Sequence, residues 1–275
     1  MRRNRPLHSS CWKKIDVGTV RRTEPGMQVI ATEQKMGEHS ATASAASAQV
    51  SLRAVAGLEV ASVIASVFIT TWVIIPLQLQ QRWLIAIPAL LAFGLILNSH
   101  RVRGESLPEV GFTLRNFGRA MKLVALPTIL VCAVCVSIGY FTGSFHLTSH
   151  FWTNLLFLPV WGLTQQYVLQ GFIYRRIRFV MMGETTQADE ENRRVCWAIL
   201  ITAVIFALAH APNLMLMFLT LLGSLLWSSV YEHAPNLWAL GISHAVISLT
   251  LMTSLPSWLL PSLSVGYKHF LYQKF

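Results

Sequence analysis

The chain alternates long apolar runs with short polar breaks, and the runs are close to the length of a membrane crossing. Seven runs stand out, at 54–77, 83–98, 120–142, 151–173, 195–211, 213–231 and 236–254. A helix needs ~20 apolar residues to cross the hydrocarbon core. Backbone groups in lipid must be satisfied within the segment, so each run is expected to be helical. The second run is short and contains Pro88. Ala211-Pro212-Asn213 leaves only a tight turn between the fifth and sixth. Residues 256–275, with Pro256, Trp258, Pro261 and Tyr267, read as an eighth, broken or interfacial segment. The expected fold is an all-α, polytopic membrane bundle of about seven to eight transmembrane helices over 51–275.

Composition agrees with that pattern. Charged residues make up 12% of the 275-residue chain and hydrophobic ones 53%, and the mean hydropathy is +0.50. A soluble domain carries about 25% charged residues. The formal net charge of +10 does not read as a nucleic-acid surface, because 9 of the 22 Lys and Arg lie in 1–53 and the others cluster between apolar runs. Such clusters are orientation signals. The N-terminal tail, the 99–122 loop and the 174–194 loop are basic, whereas 143–150 has no Lys or Arg, so the N-terminus is expected on the cytoplasmic side. Lys268 and Lys274 fit that arrangement better with eight spans than with seven.

Residues 1–50 are basic and rich in Ser, Ala and Thr, with too few large apolar side chains to fold, and are expected to be disordered. No apolar run follows the first arginines, so they do not read as a secretory signal. Met27 and Met36 are alternative candidate starts. In 111–122, Leu114, Phe117 and Met121 share one helical face and Arg115, Arg119 and Lys122 another, which suggests a surface amphipathic helix as readily as a solvated loop. Cys132 and Cys135 form a C-x-x-C, but inside an apolar helix and without a second pair they read as packing residues.

Candidate chemistry lies in the polar residues at membrane depth, which are costly to expose to lipid and usually face an interior. They are Glu59, Gln165, Gln166, Gln170, His210, His244 and Ser248, with Glu232 and His233 at the edge of the sixth run. The pairs Gln166/Gln170, Phe206/His210 and His244/Ser248 have i,i+4 spacing and so share helix faces. Gln166 is ~13 Å from the basic end and His244 ~12 Å at 1.5 Å per residue, so one polar layer is expected to hold Gln165 or Gln166, His210 and His244. Singly, each residue reads as interhelical hydrogen-bond glue or a satisfied core group. Glu59 has a candidate partner in Arg53.

Three motifs stand in order: Q-Q-Y-V-L-Q-G at 165–171, F-A-L-A-H at 206–210 and H-A-V-I-S at 244–248, the last preceded by P-N-L-W-A-L at 235–240. Over about 110–255 the chain resembles the CPBP family of intramembrane proteases, which includes CAAX prenyl endopeptidases and bacteriocin-processing proteins. That family is marked by E-E-x-x-x-R or Q followed by Gly, then F-x-x-x-H, then H-x-x-x-N. The resemblance implies a helical intramembrane endopeptidase of a bacterial plasma membrane, acting on prenylated or hydrophobic peptides. It places Gln165 and Gln166 at the two glutamates, Gln170 at the Arg/Gln position, His210 and His244 at the histidines, and Ser248 at the asparagine. Gln165, Gln166, His210, His244 and Ser248 are thereby the candidate catalytic residues. Gln170 and Phe206 are candidates for substrate contact, and His210 and His244 for a metal, with Zn²⁺ the candidate ion.

The glutamines alter what such a site can do. A general base must accept a proton near neutral pH, and an amide cannot. Nor does a neutral amide match a carboxylate beside two imidazoles as a Zn²⁺ ligand. Three functions follow: an endopeptidase using another base such as His210 or His244; a pseudoprotease that keeps the groove as a scaffold or binding module; and a transporter-like bundle. No inverted repeat or pair of broken helices favours the last.

Overall fold

The computed structural model describes residues 50–77, 82–147, 151–182 and 188–272. Residues 1–49, and with them the expectation of a disordered tail, lie outside the described residues. All seven apolar runs are helical, and among the described residues there is no strand. In chain order they are α1 (Val50–Ile74), α2 (Ala86–Val102), the short α3 (Leu107–Val110), α4 (Phe117–Thr142), α5 (Phe151–Gln166), α6 (Arg175–Met181), α7 (Ala188–Leu208), α8 (Leu214–His233), α9 (Leu237–Ser254) and α10 (Tyr267–Tyr272). Among the described residues, α1, α4, α8 and α9 are long and apolar enough to cross a membrane, while α2 is apolar but shorter, at 17 residues. A π-helical segment, Tyr167–Tyr174, joins α5 to α6, so the run is helical without a break from Phe151 to Met181. The chain is a multi-pass integral membrane protein.

The structure decides two alternatives left open by the sequence and changes one expected pairing. Residues 111–122 are not a separate surface helix: 112–116 form a turn, and α4 starts at Phe117. The turn is held in place, because Leu237 N donates to Gly111 O at 2.9 Å and the Asn236 amide to Thr113 O. Of the alternatives for 256–275, the described residues take the broken form and not a crossing. The helix there, α10, has 6 residues, and the tail folds back on the α7–α8 turn, with Gly266 N donating to Ala211 O at 2.7 Å and Asn213 Nδ2 to Ser262 O at 2.8 Å. Glu59 pairs with Arg103 at 2.9 Å and Arg176 at 3.6 Å rather than with Arg53. The cysteines of the C-x-x-C are free, Cys135 is buried, and Cys132 accepts from Thr250 Oγ1 at 3.4 Å, as packing residues would.

Glycines decide how closely α9 approaches its neighbours. A Cβ on Gly162 of α5 would lie 3.0 Å from Gly241 O, and one on Gly241 would lie 3.0 Å from Leu163 Cα. On α4, a Cβ at Gly139 would lie 2.6 Å from Ser254 O. Small residues at crossings let backbones touch where lipid offers no hydrophobic drive for association. α9 is thus wedged against α5 and α4, and the middle of the bundle is built around it.

The basic end holds an ionic cluster. Arg176, 2% exposed, makes a two-pronged contact to Glu105, with Nη1 to Oε1 at 3.0 Å and Nη2 to Oε2 at 2.5 Å, and its Nε donates to Ser99 Oγ at 3.2 Å. Arg175 reaches the same carboxylate at 2.6 Å, and so does His100 Nδ1 at 2.6 Å. Burial alone would push the Glu105 carboxyl up, but the hydrogen bonds from His100, Arg176 and Arg175 outweigh it and hold it well below the usual carboxylate range. Glu232, also at this end, accepts from Arg178 at 2.9 Å and from the Tyr174 hydroxyl at 2.6 Å.

Candidate functional site

The site forms where α5 and α9 run antiparallel across the Gly162–Gly241 contact. Side chains on a helix lean toward its N-terminus. Gln166 on α5 and His244 on α9 therefore lean toward each other, and Gln166 Nε2 lies 3.2 Å from His244 Nδ1. Gln166 has no exposed surface and His244 is 7% exposed. At Gln166 the chain passes into the π-helical turns. Such turns often occur at functional positions, and here Tyr167 and Leu169–Tyr174 are all buried.

The imidazole of His244 is stacked on the indole of Trp227 from α8, with centroids 4.6 Å apart and planes 8° from parallel. Trp227 Nε1 donates to Ser243 Oγ at 3.1 Å, and Ser243 shares a hydrogen bond of 2.7 Å with Thr128 of α4. His210, just past the end of α7, is also buried, and its Nδ1 lies 2.7 Å from Phe206 O. The Phe206 ring lies 4.6 Å from His210 and 6.1 Å from His244, which places the two imidazoles within about 11 Å of each other. The histidines thus flank one phenyl ring inside the bundle.

Gln166, Phe206, His210 and His244 come together here. Gln170, also fully buried, is turned to α8, where Nε2 donates to Ser228 Oγ at 3.0 Å. Gln165 and Ser248 are half-buried on α5 and α9, away from the Gln166–His244 contact. Glu232 is held by Arg178, and His233 is exposed with Nδ1 on its own helix at Ser229 O, so neither joins the centre. Sequence reasoning missed Trp227, Ser243, Thr128 and Ser228. Their signal was available: an indole N–H and hydroxyls at membrane depth seek partners on other helices.

Chemically the centre is neutral. Its polar groups are amides, imidazoles, hydroxyls and an indole, and among the described residues no group of three His, Cys, Asp or Glu converges as a metal site. The Gln166 and Gln170 carbonyl oxygens and the Ser224 hydroxyl are buried without a hydrogen-bond partner. Buried polar atoms left this way are acceptors in waiting for a water or ligand group.

The fold and centre define a polytopic helical membrane protein with a two-histidine polar core. Residues 147–250, which contain all three motifs and every residue just described except Thr128, match the family described as type II CAAX prenyl endopeptidase Rce1-like. This segment is similar to the CAAX prenyl endopeptidases, in line with the order of its three motifs. No curated protein and no solved structure matches the chain significantly.

Proposed function

We propose that this chain binds hydrophobic or prenylated peptides within the membrane, as a CAAX-type endopeptidase homologue that lacks an efficient general base. The observation that carries this reading is the character of the centre: His210 and His244 are set among amides, hydroxyls and aromatic rings, while Glu59, Glu105 and Glu232 are engaged by arginines at the basic end. An apolar depression of about 150 Å³ between α5 and α9, lined by Pro159, Val160, Leu163, Trp238, Gly241 and Ile242, offers a place for a lipophilic chain. Gly241 lies on both the depression and the α5–α9 seam that sets His244. The basic end is assigned to the cytoplasm on the distribution of arginines.

A residual endopeptidase is the second reading, and the His210 contact favours it. A carbonyl only accepts, so Nδ1–H donates to Phe206 O and Nε2 keeps a lone pair. That nitrogen could take a proton from water as the resulting hydroxide adds to a peptide carbonyl. Zinc fits less well. A catalytic zinc takes three protein ligands, typically with a carboxylate or thiolate among imidazoles, and this donor set stops at two imidazoles and amides.

The test is binding and cleavage of a prenylated reporter peptide by the full chain in lipid. Saturable binding with little hydrolysis is expected. Gln165→Glu with Gln166→Glu should raise hydrolysis by about 10²-fold or more, since an acid–base group contributes 10²–10⁴, and His210→Ala should remove that gain. Robust wild-type turnover that His210→Ala abolishes would replace the binding reading with the endopeptidase. Absence of peptide binding would overturn both.

A further inference from the structure

His210 does not stand on a helix. α7 ends at Leu208 and α8 starts at Leu214, so the imidazole is carried by the turn between them. A side chain on a helix takes its direction from the helix, but one on a turn takes it from whatever holds the turn. Irregular backbone at membrane depth also needs hydrogen-bond partners from the surrounding protein. Part of the turn closes on itself, with His210 N donating to Ala207 O at 2.9 Å and Asn213 N to His210 O at 3.2 Å. The segment 255–266, which follows α9, supplies the rest. Gly266 N donates at 2.7 Å to Ala211 O, the carbonyl next to His210 in the chain. Asn213, 2% exposed, is engaged at both ends of its amide. Its Oδ1 accepts from Leu216 N at 3.2 Å and caps α8, and its Nδ2 donates to Ser262 O at 2.8 Å. A backbone N–H on one side and a carbonyl on the other fix which end of that amide is which.

We propose that 255–266 is a strap that positions His210, with Gly266 and Asn213 as the positioning residues that hold the α7–α8 turn in place. The strap is itself pinned at both ends. Leu255 and Leu260 are buried in one cluster with Leu216 of α8 and Leu251 of α9. Gly266 has a φ of +58°, and a Cβ there would lie 2.6 Å from Thr71 Cβ and 2.7 Å from Thr71 O, so its backbone is pressed between α1 and the turn. Just beyond, the Phe270 ring meets the edge of Trp72 with centroids 6.3 Å apart. The place of His210 beside Phe206 therefore depends on α1 and on the strap, and both lie outside the matched residues 147–250. Only the effect on peptide binding rests on the proposed function; the strap stands on its own contacts.

The test is NMR of histidine-labelled full chain in lipid nanodiscs, with the ring signals identified by their loss in His210→Asn and His244→Asn. In wild type the Nδ1 proton of His210 should lie downfield, held by Phe206 O. Gly266→Val forces a side chain against Thr71 at a backbone angle that glycine takes without cost. Asn213→Ser keeps a neutral cap on α8 but removes the donor to Ser262 O, and it carries the test if Gly266→Val does not fold. Both variants should move the His210 proton upfield and broaden or split it, and leave the His244 signals in place. Unchanged His210 signals in Asn213→Ser overturn the proposal. So do His210 and His244 signals that shift together, since the bundle would then be loosening as a whole. Failure of wild type to bind a prenylated peptide, with the His210 shift intact, would sink the functional reading and leave the strap standing.

Discussion

The basic end and the middle of the bundle solve the problem of buried polarity in opposite ways. At the basic end, full charges meet: Glu59 and Glu105 face Arg103, Arg175 and Arg176, and the Ser99 hydroxyl and the His100 imidazole hydrogen-bond among them. In the middle, Gln166, Gln170, Ser228, Ser243 and His244 pair through neutral groups. Charge at bilayer depth is expensive and is tolerated where it is paired. The carboxylates of the first region tie α1, α2 and α6 together. The second region has amides at Gln166 and Gln170, with no carboxylate among the groups that pair there. In this protein Glu59 and Glu105 pair with arginines at the basic end, and neutral side chains occupy the candidate site.

Substitutions should separate the two regions. The largest effect is expected from Glu105→Gln, which takes the two-pronged partner from the buried Arg176 guanidinium and leaves it only the longer 3.6 Å contact to Glu59. Losing one partner of a buried pair costs about 3–5 kcal/mol, so unfolding in detergent should shift by that much. A loss below ~1 kcal/mol, the size of an exposed pair, would erase the contrast.

Next is the seam that brings α5 to α9. Gly241→Leu places side-chain carbons against the Leu163 backbone, and overpacking costs about 1–3 kcal/mol. The same change should part Gln166 from His244 and weaken peptide binding. Stability lost with binding intact would show that the seam does not set the site.

Acidification probes the charged region alone. The folded pKa of Glu105 is depressed, so its contribution is complete above the unfolded value of ~4.3 and is lost as pH falls below it toward the folded value. Stability should therefore hold from neutral pH to about 5 and then decline, and Glu105→Gln should flatten that decline. An unchanged acid limb in the variant would assign it to other groups. The smallest effect is expected from Ser228→Ala, which removes the Gln170 contact. Interhelical hydrogen bonds in membranes average about 0.6 kcal/mol. A loss several times larger would show that the neutral layer bears as much of the fold as the ion pairs do.

The sequence by itself determined the helices, because a run of apolar residues in lipid has no other way to satisfy its backbone. It also marked Gln166, His210 and His244, since polar groups at that depth are few and their spacing puts them on definite faces. What it left open was partner choice. Glu59 has a cation six positions away in Arg53, yet pairs with Arg103 and Arg176, which are distant in the chain. The 111–122 segment has an amphipathic pattern, but its first half is drawn into a turn by Asn236 and Leu237. Gln165 and Gln166 are equal in sequence, and only the crossing at Gly162 and Gly241 decides that Gln166 meets the imidazole while Gln165 does not. Periodicity fixes the direction of a side chain on its own helix. Which neighbour it meets depends on how closely two backbones approach, and the tertiary structure alone sets that distance.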